Sequence, residues 1–149
     1  MFLLSKLPSA FFAGLRIKDV SENSCSVSVP YKWFTKNPFH STYFACLAMA
    51  AEMSTGTLCV IHLHKKKLPV SMLVTRLESE FHKKATGVTN FICEDGMLIK
   101  EAIDKAMENE EAYIVRAKSV GMDKGGIVIA EFYITWSFKA KRTKLKNSL

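Results

Sequence analysis

The stretch that decides the fold runs from Asn37 to Gly56 and reads NPFHSTYFACLAMAAEMSTG. After the Asn-Pro turn, alanine, leucine and methionine dominate, and these residues are strong helix formers. Ser41 or Thr42 is placed to cap the start of the helix, and Gly56 stands where a left-handed residue often ends one. Because the predicted helix is apolar on nearly every face, other parts of the chain must wrap around it.

One charged side chain, that of Glu52, interrupts this apolar helix. Removing a carboxylate from water is costly, so a glutamate in such a place indicates either a function or a local partner. Glu52 is therefore the first candidate for a catalytic residue. The alternative is a glutamate whose carboxylate reaches solvent at the helix end or pairs with a basic neighbour.

Length and composition predict a single domain over residues 1–149. The chain has 149 residues, 48% of them hydrophobic, which is enough to bury most of a core. Its four cysteines are scattered in apolar runs, so we expect buried thiols and not a disulfide framework or a zinc site. The apolar amino terminus is too short and too poor in positive charge for a membrane span or a secretory signal. We therefore expect a cytoplasmic protein.

The formal net charge of +7 is concentrated in two segments. Lys65, Lys66 and Lys67 form one, and five further basic residues lie in the other, residues 139–149. Such clusters are most often solvated turns and tails, so we expect a basic carboxy-terminal extension over 139–149, with its flexibility left open. The alternative is a docking surface for an anionic ligand. No nucleic-acid-binding motif accompanies the charge, so no nucleic-acid partner is expected. No membrane span is expected either, because the apolar amino terminus is too short.

Periodicity predicts the remaining elements. The first 14 residues form an amphipathic helix, and a second amphipathic helix begins after Asp95-Gly96. Seven segments have the alternation or the bounding turns of strands, at 15–20, 24–31, 57–64, 69–84, 87–94, 112–122 and 127–139. Most are joined by hairpin turns, so the sheet should be antiparallel. We expect an α+β domain in which a long antiparallel sheet wraps around the central apolar helix.

This layout resembles the hotdog fold, and the central stretch is similar to a motif of acyl-coenzyme A thioesterases of the phenylacetate-degradation and 4-hydroxybenzoyl-CoA type. Their motif is Asn-x-x-Gly-x-x-His-Gly-Gly, with Glu or Asp nine residues after the His. Asn37 matches the Asn and Glu52 the acid, whereas His40 replaces the first Gly, Tyr43 the His, and Phe44-Ala45 the Gly pair. The Asn-Pro-Phe turn and the Tyr-Phe-Ala helix start resemble an uncharacterised, DUF4442-type branch of that superfamily.

The resemblance implies hydrolysis of an acyl-CoA or acyl-carrier thioester at the interface of a homodimer, with a tetramer left open. Glu52 would be the general base or the nucleophile, and the backbone N–H of Phe44 would polarise the thioester carbonyl. The two residues are eight positions apart, roughly 12 Å along a helix, so one helix cannot bring both groups to one carbonyl. Two antiparallel helices across a twofold axis can. No cofactor is implied, because coenzyme A is part of the substrate.

Asn37 and Tyr43 complete the implied catalytic set. Asn37 would position substrate or water, although an Asn before Pro38 also serves to shape a turn. Tyr43 would donate a hydrogen bond in place of the family's histidine, since a tyrosine is a poor base at its ordinary pKa. The side chain of Phe44, where the family has glycine, would narrow or shift the acyl site.

His40 and Thr55 are candidates for substrate binding. His40 stands near the expected position of the acyl carbonyl and could act as an acid or base, or it is an ordinary loop histidine. Thr55 lies three residues after Glu52 on the same helical face. It could orient the carboxylate or water, or it is a threonine at the end of the helix.

The remaining candidates are polar residues that follow the motif. Lys65, Lys66 and Lys67 could meet the phosphates of coenzyme A, although a polar turn explains them equally well. His62 and His64 share one side of a predicted strand, but no third ligand stands at a clear spacing. We therefore expect no metal site.

Two other functions stay open at this point. Loss of the His-Gly-Gly sequence is consistent with a hotdog protein that binds acyl chains or lipids without catalysis. Hydration or dehydration of acyl thioesters is the second alternative, and in this superfamily it uses a His with an acid. His40 is the one histidine near the motif, and its spacing to Glu52 differs from the hydratase patterns.

Overall fold

The computed structural model describes residues 2–64, 66–109 and 111–141, and all its strands belong to one sheet. Its elements are α1 Phe2–Lys6, α2 Pro8–Ala13, β1 Arg16–Val20, β2 Cys25–Val29, α3 Phe44–His64, β3 Val70–Phe81, β4 Thr89–Cys93, α4 Gly96–Glu108, β5 Tyr113–Met122 and β6 Val128–Ala140. The strand order is β1-β2-β4-β5-β6-β3, and every neighbouring pair is antiparallel. The predicted α+β architecture is confirmed.

The central helix is longer than predicted, because α3 continues past Gly56 to His64. Segment 57–64 was predicted as a strand, and that prediction was wrong. Its Thr, Val and Ile residues favour strands locally, but packing inside the sheet overrides this preference. Gly56 is a buried helical residue and not the helix end. A Cβ there would lie 3.4 Å from the ring of Trp136, an ordinary contact, but 3.1 Å from the carboxylate of Glu52, so the glycine leaves room for the Glu52 side chain.

Neither of the two predicted capping residues caps α3. The Ser41 hydroxyl contacts the side chain of Asn37, and the Thr42 hydroxyl donates to the carbonyl oxygen of Ala85 at 3.2 Å. Both side chains therefore fasten the loop that leads into the helix. The first N–H groups of α3 consequently receive no side-chain oxygen from these two residues.

Some boundaries were predicted well and others were not. The turns at 21–24 and 123–126 are confirmed, and the Asp123 carboxylate accepts the backbone N–H groups of Gly125 and Ile127 at 2.9 and 3.0 Å. The first segment is two short helices instead of one, because Pro8 lacks the N–H that would continue α1 and begins α2 instead. β6 extends to Ala140, one residue beyond the predicted strand 127–139, so the basic extension assigned to 139–149 begins inside the strand.

The sheet curls around α3 but leaves one face of the helix uncovered. Cys46, Ala50 and Leu58 are buried against the sheet, and α4 packs against α3 beside it. On the opposite face Glu52 is only partly buried, and it shares a cavity with Ile17 of β1 and Met72 of β3. These two strands are the two edges of the sheet. The uncovered face of α3 therefore lies in the gap between the edges.

In the described part of the chain, α3 is the one helix whose length and composition would suffice to cross a membrane. The most apolar window of the helix is 56% buried inside the protein, and the core helix of a soluble protein meets the same criteria. Its apolar composition is accounted for by the surrounding sheet.

The four cysteines are free and buried, as predicted. Cys25 and Cys93 are opposite each other on β2 and β4. Burial raises the pKa of Cys93 to about 12, so this thiol is protonated at neutral pH and a poor nucleophile. The cysteines thus behave as small apolar core residues.

Candidate functional site

Two separate cavities adjoin α3 and divide the predicted site between them. The helix-start cavity has a volume of about 800 Å³ and is lined by Asn37, Tyr43 and Phe44, among others. The Glu52 cavity has a volume of about 340 Å³ and lies further along the helix, beside Gly56. No described residue lines both. Within one chain, the carboxylate and the helix start therefore cannot act on the same atom.

The start of α3 has free backbone donors, and its first residue, Phe44, lines the helix-start cavity. The Tyr43 N–H donates to the carbonyl oxygen of Thr35 at 2.7 Å, and the Tyr43 carbonyl accepts the N–H of Cys46 at 2.9 Å. Among the described residues, the N–H groups of Phe44 and Ala45 have no acceptor. Such groups, at the positive end of the helix dipole, suit an oxygen on which negative charge develops.

Asn37 uses its side chain within its own loop. Its Oδ1 accepts the N–H groups of Phe39 and Ser41 at 2.9 and 3.2 Å, and its Nδ2 donates to the Ser41 hydroxyl at 3.1 Å. These contacts favour the turn-shaping alternative for Asn37. The loop they hold forms a wall of the helix-start cavity and sets the position of Tyr43.

His40 is exposed and, unlike its neighbours Phe39 and Ser41, does not line the cavity. Its φ of 59° is the one positive value among the described non-glycine residues. The similar thioesterase motif has glycine at this position, and glycine adopts such a conformation without strain. The structure therefore gives His40 a backbone role and no contact with the cavity.

We expect His40→Gly to leave thermal stability unchanged or to raise the free energy of unfolding by up to about 1 kcal/mol. Relief of left-handed strain is partly offset by the greater freedom of glycine in the unfolded chain. His40→Ala should not be stabilising, because it keeps the strain. Thermal unfolding of both variants checks this. A loss of hydrolysis common to both well-folded variants would instead assign His40 a chemical role.

Glu52 is a partly buried carboxylate without a compensating partner. Its Oε1 lies 3.1 Å from the point where a Cβ on Gly56 would be, so the side chain runs along the helix towards the next turn. No hydrogen bond or ion pair to it is found within the described ranges, although Lys6 lines the same cavity. Burial raises the pKa of Glu52 above its ordinary value of 4.5. A raised pKa makes a carboxylate a stronger base near neutral pH.

The same shift predicts that Glu52→Gln stabilises the protein at neutral pH. The folded state binds the Glu52 proton more tightly than the unfolded state. The free energy of unfolding therefore falls as the pH rises from 4.5 through the raised folded pKa. A neutral Gln avoids this loss. The melting temperature of Glu52→Gln should exceed that of the wild type at pH 7.5, and the difference should shrink towards pH 4.5. An equal difference at both values would contradict the assignment.

Thr55 points away from Glu52 and into the core. Its Oγ1 accepts the indole N–H of Trp136 at 2.9 Å and donates to the backbone carbonyl of Glu52 at 3.0 Å. It is fully buried and does not line the Glu52 cavity. Thr55 is also well inside α3, so the alternative of a threonine at the helix end does not hold either. Its contacts are those of a residue that joins the helix to β6.

Of the three consecutive lysines, Lys66 and Lys67 are far from the helix-start cavity. Lys65 lies outside the described residues. Lys66 forms an ion pair with Asp104 of α4, and Lys67 is exposed. Both follow the last residue of α3, a helix of 21 residues, so they are roughly 30 Å from its start. The structure does not bring them together with Phe44.

Metal-ligating groups occur elsewhere on the protein. His62 is on α3, not on a strand, and its Nε2 lies 2.9 Å from the backbone carbonyl of Glu22. On the outer face of the sheet, ligand atoms of Glu80, His82 and Glu131 lie within 4.8 Å of one another. Glu131 already contacts His82 at 2.9 Å and the ammonium of a lysine on β5 at 2.6 Å. A cation would have to displace these partners, so we assign no metal there.

Sequence reasoning missed the basic residues that line the helix-start cavity. Lys36 comes from the loop before α3, and His82, Lys83 and Lys84 follow β3. Nearly fifty residues separate the two groups in the chain. The Lys83-Lys84 pair was the one local signal, and nothing in the sequence pattern connects it to Lys36.

The fold is similar to several solved structures. A protein of unknown function from Pseudomonas aeruginosa, described as a probable thioesterase, is 18% identical, with 93% of this chain and 92% of that chain covered at a TM-score of 0.79. A protein of unknown function from Chlorobaculum tepidum is 14% identical, with coverages of 94% and 91% and a TM-score of 0.79. A thioesterase from Haemophilus influenzae is 9% identical, with coverages of 95% and 90% and a TM-score of 0.68. At these identities the likeness establishes the fold, and the hotdog prediction is confirmed.

The family comparison agrees with that fold. A family profile described as a domain of unknown function, DUF4442, matches residues 1–137. No curated protein sequence matches the chain significantly. The activity must therefore be argued from the geometry of the two cavities.

Proposed function

The chain belongs to the DUF4442 family, and from that membership and the geometry of the site we propose that it is a homodimeric acyl-CoA thioesterase. The observation that carries the proposal is the unpaired, partly buried carboxylate of Glu52 on the uncovered face of α3. An uncompensated acid in a cavity costs stability, and catalysis gives a reason for that cost. The free N–H groups of Phe44 and Ala45 supply the second half of a hydrolytic site.

A homodimer joins the two halves. On the uncovered face of α3, Ala48 lies midway between Phe44 and Glu52 and is only partly buried. If two copies of α3 cross antiparallel at Ala48, the Glu52 of each protomer comes level with the Phe44 of the other. The small side chain of Ala48 permits the close approach that this crossing needs.

The edge strand beside this face also lacks a neighbour. β3 is 12 residues long, and on its inner face Leu77 and Phe81 are 48% and 50% exposed. The ring of Phe81 lies 6.5 Å from that of Phe44, so the exposed strand and the exposed helix face adjoin each other. A long unpaired apolar edge favours association. A second copy of the chain would cover both surfaces at once.

In the proposed dimer, the thioester carbonyl binds at the helix start of one protomer. The N–H groups of Phe44 and Ala45 donate hydrogen bonds to its oxygen. The partner's Glu52 removes a proton from water, and the hydroxide adds to the carbonyl carbon. The C–S bond of the tetrahedral intermediate then breaks, and the proton held by the partner's Glu52 passes to the leaving thiolate. Direct attack by the carboxylate is the nucleophilic variant of the same arrangement.

Thiol release from acyl-CoAs of short, medium, long and aromatic acyl chains tests the proposal. We expect turnover of at least one class by the purified dimer, with free acid and thiol formed in equal amounts. Absence of turnover on every chain length would contradict it.

A protein that binds acyl chains without hydrolysis is the second candidate. One observation favours it: Phe44 stands where the similar motif has glycine, and its ring lines the helix-start cavity. A side chain there narrows the approach of a thioester to the backbone. This candidate predicts saturable acyl-CoA binding without thiol release, so the same experiment separates the two.

A further inference from the structure

Three lysines give the wall of the helix-start cavity a positive charge. Lys36, His82, Lys83 and Lys84 line it, and no acidic residue does so in the part of the chain that the structure describes. A cavity lined by one sign of charge concentrates ligands of the opposite sign. The expected ligand is therefore anionic.

Two of these four side chains are already compensated. Lys83 Nζ lies 3.1 Å from a carboxylate oxygen of Asp123, and His82 Nε2 lies 2.9 Å from one of Glu131. Both acids belong to the β5–β6 hairpin and hold the segment after β3 in place. Lys83 and His82 thus shape the wall more than they charge it.

Lys36 and Lys84 carry the charge that remains. Lys84 Nζ donates to the neutral carbonyl of Phe39 at 3.3 Å, and the ammonium group of Lys36 has no acceptor among the residues described. The two lysines come from segments that Thr42 joins. Thr42 pairs with Lys36 in an isolated bridge, and its N–H donates to the carbonyl of Ala85 at 2.8 Å. Two uncompensated ammonium groups therefore flank one cavity.

Apart from the polar loop residues Asn37, Ser41 and Thr42, the rest of the wall is mostly apolar and aromatic. Phe39, Tyr43, Phe44, Leu47 and Phe81 line it. The rings of Tyr43 and Phe44 meet edge to face at 5.1 Å. At about 800 Å³ the cavity is far larger than a phosphate group and has the size of cofactor sites. A suitable ligand therefore combines phosphate groups with a larger uncharged body.

We propose that Lys36 and Lys84 bind phosphate groups of the coenzyme A moiety and thereby select nucleotide-bearing thioesters over thioesters of pantetheine. The inference rests on the proposed function, since it identifies the leaving group of that reaction. It also moves phosphate recognition from the predicted Lys65–Lys67 segment to the opposite end of α3.

Equilibrium binding of coenzyme A itself tests the inference, because no thioester is hydrolysed in that measurement. Calorimetric titration of the dimer with coenzyme A, dephospho-coenzyme A and pantetheine should show affinity that falls with each loss of phosphate. The double variant Lys36→Glu/Lys84→Glu should weaken coenzyme A binding by about tenfold or more. Because both lysines are exposed, the variant should fold, and the Lys36→Ala/Lys84→Ala pair provides a milder second test.

Lys139→Glu is the matched control, since Lys139 is exposed at the other end of the β3–β6 ladder. It makes the same charge change per site and should not alter affinity. Equal binding of coenzyme A and pantetheine, or an equal loss in Lys139→Glu, would overturn the inference. A loss in Lys67→Glu without one in the double variant would also overturn it and return phosphate recognition to the segment after α3. A further result would overturn the inference: acyl-carrier thioesters are hydrolysed faster than acyl-CoAs, and the double variant slows that reaction whereas Lys139→Glu does not. The two lysines would then bind a carrier protein.

Discussion

Glu52→Gln is expected to lower kcat for acyl-CoA hydrolysis by at least about a hundredfold, with the dimer and the fold retained. The substitution keeps the size of the side chain but removes the atom that accepts a proton from water, and a positioned acid–base group typically contributes this much. Thiol release at saturating substrate measures the effect. KM should change little, because in the proposed dimer Glu52 would act at the reacting carbonyl, and it does not line the wall that carries the lysines.

The pH profile gives this expectation a second, independent readout. Burial holds the pKa of Glu52 above its ordinary value, and in the proposed mechanism the deprotonated form is the active one. Wild-type kcat should therefore rise with pH through that raised pKa and then level off. The residual activity of Glu52→Gln should lack this step.

Glu101→Gln is the matched control for the carboxylate. Glu101 is an exposed helical glutamate on α4, paired with Lys105 at 2.7 Å. Its replacement should leave the rate within about twofold, since an exposed ion pair on a helix contributes little. Equal rates for Glu52→Gln and the wild type would rule out the mechanism. If Glu52→Gln lowered the rate but its residual activity still rose with pH through the same step, another titrating group would have to be the base.

Ala48→Glu is expected to dissociate the dimer and to abolish hydrolysis together. In the proposed crossing, Ala48 of each protomer lies on the twofold axis, so the variant places two carboxylates next to each other. Like charges in contact across an interface cost several kcal/mol, enough to weaken dimerisation by a hundredfold or more. Each protomer should still fold, because Ala48 is only partly buried on the uncovered face of α3. Sedimentation velocity and thiol release on the same samples measure both effects.

Leu98→Glu is the control for Ala48→Glu. It tests whether a glutamate added to another helix also dissociates the dimer and abolishes hydrolysis. Leu98 is 52% exposed on α4, away from the uncovered face of α3. This variant should stay dimeric and active. A fully active monomeric Ala48→Glu protein would contradict the composite site, and an active dimeric one would place the twofold axis elsewhere.

The sequence alone was sufficient for the architecture around the central helix. A run of alanine, leucine and methionine over residues 44–53 can be stable in water only if other structure covers it. The turns at 21–24 and 123–126 contain residues that reverse the chain between alternating segments, so antiparallel pairing followed from them. Glu52 could be recognised from the sequence because it is a charged residue within this apolar run. A carboxylate amid apolar residues carries a cost that local sequence reveals.

Only the tertiary structure decided where α3 ends and which side chains share a cavity. From the sequence, Gly56 was predicted to end the helix. The sequence around it does not reveal the Trp136 ring that lies against it in the fold. Thr55 shares a helical face with Glu52 in projection, but the indole N–H of Trp136 binds its hydroxyl in the core.

The same limit applies to the charges. The longest basic run in the sequence follows α3, whereas Lys36 and Lys84 line one cavity because Thr42 bonds to Ala85 across forty-three positions. A local sequence pattern shows which residues are costly to bury, because that cost depends on the chemistry of the residue itself. The partners of a residue depend on contacts between distant parts of the chain, and these exist only once the sheet has closed around the helix.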